Sequence, residues 1–132
     1  MKRLLALSVA GLLPIQAIPA VAQADELHTK TARFVTNWQR EGGLPDINPD
    51  AELRLVELNG ADPPEALVIL RGVETCGSRG CTAFVLDLRG QQARSIGDFI
   101  AHSLEPLPTS SNGWRDLSLN GQRITFEAGK YR

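Results

Sequence analysis

The chain has 132 residues with 14 basic and 15 acidic side chains, two cysteines and two histidines. A net charge of −1 excludes the strongly basic surface that a grip on nucleic acid or anionic lipid needs. With only two histidines, acid–base chemistry near neutral pH has few candidates.

The first residues follow an export pattern. Lys2 and Arg3 precede an apolar run from Leu4 to Leu13, and small residues follow at Ala20-Val21-Ala22 and Ala22-Gln23-Ala24. The run is interrupted by Pro14 and Pro19 well before the roughly 20 apolar residues needed to span a bilayer. Residues 1–24 therefore read as a signal peptide cut near Ala22 or Ala24, with no membrane span after cleavage and a periplasmic or secreted product. Residues 25–132 fit one domain, and loss of Lys2 and Arg3 leaves it with a net charge of about −3.

Within Asp25 to Arg40, Leu27, Phe34, Val35 and Trp38 fall on one helical face. Gly42, Gly43 and Pro45 end the helix, and Asp25, Glu26 and Arg40 complement its dipole. Residues 44–50 read as a loop. The period then becomes strand-like over Leu53 to Leu58, Ala66 to Arg71, Thr82 to Leu88 and Ala93 to Gly97, while Ile100 to Pro108 stays unassigned. Five apolar residues in a row in the second of these predict burial on both faces.

Asn120-Gly121 predicts a type I′ hairpin with Leu117 opposite Ile124, Leu119 opposite Gln122, Ser118 opposite Arg123 and Asp116 opposite Thr125. The expected architecture is α+β: an N-terminal helix packed on an antiparallel meander of about five or six strands.

Cys76 and Cys81 are the only cysteines, and in an oxidising compartment such a pair forms a disulfide. Their Cys-x4-Cys spacing between strands differs from the Cys-x-x-Cys at a helix start that redox catalysis uses. His102 as base, with Asp98 or Asp116 as orienting acid, is the one candidate for a small hydrolase, but no Gly-x-Ser-x-Gly elbow accompanies it.

The segment Glu57-Leu58-Asn59-Gly60-Ala61-Asp62-Pro63-Pro64-Glu65, followed by an apolar strand, resembles the strand–loop–strand of FG-GAP and related secreted proteins. That resemblance implies calcium as a cofactor, with Glu57, Asn59, Asp62 and Glu65 as ligands. Ala61 occupies one ligand position, and Pro63-Pro64 stiffens the loop, so no site or a millimolar one is expected. The Cys76-to-Cys81 loop and the Gly113-Trp114-Arg115-Asp116-Leu117 segment are similar to a group of small uncharacterised exported bacterial proteins, which implies an exported setting. The reading that follows is a non-enzymatic binding module, with Arg79, Trp114, Arg115 and Asp116 facing a protein or cell-envelope component. The alternative is an inhibitor of a cell-wall-degrading enzyme that inserts the Gly77 to Gly80 loop into its cleft.

Overall fold

Two strands of this chain are apolar at consecutive positions, and their burial on both faces organises the rest. The computed structural model describes residues 11, 19–44 and 50–132. Most of the run from Leu4 to Leu13 lies outside them. The elements are α1 (Ala20–Glu41), β1 (Asp50–Val56), β2 (Glu65–Arg71), β3 (Cys76–Gly77), β4 (Gly80–Asp87), β5 (Arg94–Ala101), β6 (Leu104–Ser111), β7 (Trp114–Leu119), β8 (Gln122–Ile124), β9 (Phe126–Glu127) and β10 (Lys130–Tyr131). The fold is α+β, as the sequence predicts.

All pairings are antiparallel. The larger sheet places β2 between β1 and β4, with β5 on the far side of β4 and β3 pairing with β4 beyond the end of β2. A second sheet runs β6–β7–β8, and β9 pairs with β10. Ten strands in three sheets replace the single meander of five or six, because the second half of the chain folds back over the first.

Side chains alternate across a strand, so β2 and β4 feed two cores. Ala66, Val68, Leu70, Phe84, Leu86 and Leu88 meet Leu27 and Val35 of α1 on one face. Leu67, Ile69, Ala83 and Val85 meet Leu104, Leu117, Ile124 and Tyr131 on the other. Phe84, only 1% exposed, receives the ring edges of Phe34 and Trp38 at centroid distances of 5.1 and 5.4 Å.

The helix begins at Ala20 rather than Asp25, running unbroken across both candidate cleavage sites. Its end is as read: Gly42 N–H donates to Trp38 O, and Gly43 takes a positive φ of 66°. β1 stops at Val56 because Leu58 leaves the sheet for the second layer, where its carbonyl accepts Arg115 N–H at 2.8 Å. Residues 100–108, left unassigned by pattern, form the end of β5 and most of β6.

The Asn120-Gly121 turn has positive φ at both residues and sets the predicted register from Leu119–Gln122 to Leu117–Ile124. The ladder ends there. Asp116 does not face Thr125, whose backbone exchanges hydrogen bonds with Arg132 instead.

Phe84→Ala should lower the unfolding free energy by about 3–5 kcal/mol, because the two aromatic edges over it cannot collapse into the void. Urea denaturation measures this; a cost under about 1 kcal/mol would mean that α1 does not pack as described.

Candidate functional site

At one end of β4 the chain makes a short, covalently closed hairpin. Cys76 and Cys81 are direct cross-strand partners and are joined by a disulfide. The approach from β2 is fixed by Thr75, whose hydroxyl donates to Leu70 O at 2.6 Å and whose carbonyl accepts Thr82 N–H at 2.7 Å. Gly80 is required here: a Cβ on it would lie 2.5 Å from the carbonyl carbon of Ala101, and its φ is +127°. Gly77, Ser78 and Arg79 form an exposed tip. Beside it lie Val73 and Ile100, which are 91% and 53% exposed. Ile100 and residues 74–80 line a shallow depression of about 350 Å³.

The oxygen-rich loop between β1 and β2 turns its oxygens onto its own backbone. Asn59 Oδ1 accepts Ala61 N–H, and Glu65 Oε1 accepts the N–H groups of Leu58 and Asn59, both at 3.2 Å. Glu57 and Asp62 are exposed, with Asp62 preceding a cis Pro63. Among the described residues no three His, Cys, Asp or Glu side chains converge as a metal site would require.

Glu65 is 2% exposed at the head of β2, on the strand beside the end of β4 that carries Asp87. Burial pushes its carboxyl up to about 7 against the opposing effect of its two backbone donors, and Asp87 adds to the rise. The Asp87 carboxyl moves the other way, held well below the usual range by Arg89, which binds both oxygens, and by Arg94. Burial raises the Tyr131 phenol, and its hydroxyl donates to Arg115 O at 2.7 Å.

Arg89 brings its guanidinium to 5.8 Å from the Trp114 ring centroid, and Trp114 stacks on Phe126 at 4.2 Å. The Trp114 to Asp116 segment is thus used within the fold. Arg115 donates through Nε to Leu107 O. Asp116, expected on a presented surface, is only 1% exposed: Oδ2 accepts the Thr109 hydroxyl at 2.6 Å, and Oδ1 has no hydrogen bond within the described residues. The hydroxyls of Thr109 and Ser111 hold its carboxyl below the ordinary value. Arg79 sits just before β4 and Arg89 just after it, and the two ends of an extended strand of that length lie roughly 23 Å apart. The structure therefore does not bring Arg79 onto one face with Trp114.

His102 lies exposed on the turn from β5 to β6, where its N–H donates to Asn120 Oδ1 and its carbonyl accepts Arg71. Its ring makes no hydrogen bond with Asp98, which is exposed, or with Asp116. This geometry gives the hydrolase reading no constellation to work with.

The exposure of Val73 and Ile100 escaped sequence reading because no local pattern marks which apolar side chains the two covering layers leave out. Glu65, read as the closing acid of the oxygen-rich loop, instead heads β2 and is buried. No family model matches the chain, and no curated protein or solved structure is significantly similar to it.

Two outcomes follow from Glu65. A carboxyl raised from 4.5 to about 7 by folding makes no difference at pH 4, where both states hold the proton, and penalises the fold increasingly as pH rises. The penalty reaches about 3 kcal/mol above pH 7, and Glu65→Gln should flatten stability between pH 5 and 7. An unchanged slope in urea melts at those pH values would contradict the burial of the charge. Because the loop oxygens are engaged internally, about 1 mM calcium should leave the melting temperature unchanged. A rise of several degrees, abolished by Glu65→Gln, would establish a calcium site.

Proposed function

We propose that the chain is an exported, non-enzymatic binding module that meets a protein partner through its disulfide-closed hairpin. The observation that carries this reading is the placement of Val73 and Ile100, two large apolar side chains left in solvent, beside a tip that the Cys76–Cys81 bond holds in shape. Glu74 and Arg79 line a depression together with Ile100 beside this hairpin, and polar groups around an exposed apolar side chain on a rigid sheet edge are the composition of a recognition surface. Closing the hairpin in advance reduces the entropy lost on docking.

Export is supported by the basic start and apolar run, by a disulfide of the kind that persists in oxidising compartments, and by where α1 meets the core. No helix among the described residues is long and apolar enough to cross a membrane. Residues 20–26 are exposed apart from half-buried Ala24, and the first helical side chain in the core is Leu27. Cleavage after Ala22 or Ala24 therefore leaves the packing of α1 intact. The first turn of α1 as it stands contains no acid, whereas a cut after Ala24 puts Asp25 and Glu26 there, where the dipole favours them.

Mass spectrometry of the exported protein should find Gln23 or Asp25 at the N-terminus; intact Met1 in that fraction would overturn the export reading. For the surface, Val73→Asp with Ile100→Asp should keep the melting temperature of the parent and reduce partner capture from envelope extract at least about tenfold. Equal capture by both proteins would move the recognition surface elsewhere.

A further inference from the structure

A groove of about 240 Å³ runs between α1 and the turn from β4 to β5, away from the disulfide hairpin. One wall is α1, contributing Arg33, Phe34, Asn37, Trp38 and Glu41; the other is the turn, contributing Gln91, Gln92 and Ala93. Lys30 fastens the two walls together, because its ammonium donates to Leu88 O at 3.1 Å and Gly90 O at 2.8 Å. Ala93 packs into the helix-side core and holds the other end of the turn. The walls are thus set before any ligand arrives.

Apart from Lys30, the polar side chains along this groove have no partner of their own among the described residues. Arg33, Asn37, Glu41, Gln91 and Gln92 make no side-chain hydrogen bond or ion pair within the described residues. Three of them are carboxamides, each with two donor hydrogens and an acceptor oxygen. Phe34 and Trp38 add aromatic surface, two of the seven aromatic residues in the chain.

We infer that this groove is a binding site for a neutral saccharide. Vicinal hydroxyls each offer a donor and an acceptor, which a carboxamide matches, while the C–H face of a pyranose ring suits an indole or phenyl ring. A small anion is the weaker match, since Glu41 offsets the charge of Arg33 in the same space and the Lys30 ammonium is already engaged. The volume lies below the roughly 300–1,000 Å³ of pockets for drug-sized ligands, so the site takes one or two rings, as at the end of a glycan.

The test is titration of the full exported protein with maltotriose, cellotriose and triacetylchitotriose, followed by amide NMR shifts and by indole fluorescence in a Trp114→Phe background, which leaves Trp38 as the reporter. At least one of the three should saturate with a dissociation constant of about 1 mM or tighter, moving the resonances of Asn37, Gln91 and Gln92. Trp38 also packs on Phe84, so the variant that decides is Gln91→Ala with Gln92→Ala, on an exposed turn. It should keep the parent melting temperature and weaken binding about tenfold. No saturable shift with any of the three at about 10 mM, or binding that the double variant does not weaken, overturns the inference. So does saturation of the same resonances by inorganic phosphate alone, which would make the groove an anion site.

Discussion

Everything in this fold depends on β2 and β4 being apolar on both faces. A sheet with one apolar face needs one covering layer; this one needs two. Helix α1 supplies the first over Val68, Leu70, Phe84 and Leu86. The second comes from β6 to β10, with Leu104, Leu117, Ile124 and Tyr131 laid over Leu67, Ile69, Ala83 and Val85. Beyond these two layers the sheet has two ends, one at Asp87 and one at Cys81. The ends are where polar and exposed groups collect.

The two ends of β4 resolve that constraint differently. At Asp87 the chain gathers charge and aromatic rings: Arg89 and Arg94 neutralise Asp87, Glu65 sits protonation-prone beside it, and Trp114 and Phe126 stack close by. Those groups satisfy one another. At Cys81 the chain is held by a covalent bond and by Thr75, while Val73 and Ile100 remain without cover. A saturated end and an unsaturated end on one rigid strand favour the hairpin over the Trp114 segment as the proposed recognition surface.

Local chemistry made part of this legible in the sequence. The apolar run in β2 announced two-sided burial, Asn120-Gly121 set a register through its backbone demands, and two cysteines in an export-type chain predicted their bond. What escaped the pattern is where the chain changes layer. Leu58 and Thr125 each leave a ladder to join another set of strands, and no periodicity marks such an exit. β6 contains Pro106 and Pro108, which argue against a strand, yet it is an edge strand bonded to β7 alone, with an irregularity between Pro106 and Ser110. Asp116 read as part of a presented surface because the hydroxyl that donates to it in the interior, on Thr109, lies on that unread strand.

The central claim is that the unsaturated end of β4 is what the partner touches. Its most direct test is photo-crosslinking in the producing cells, with a photo-reactive side chain placed either at Val73 or at Glu127, which is exposed on β9 in the other part of the fold. A discrete adduct from position 73 and none from position 127 is the result predicted. Adducts of equal yield from both positions, or from position 127 alone, would contradict it.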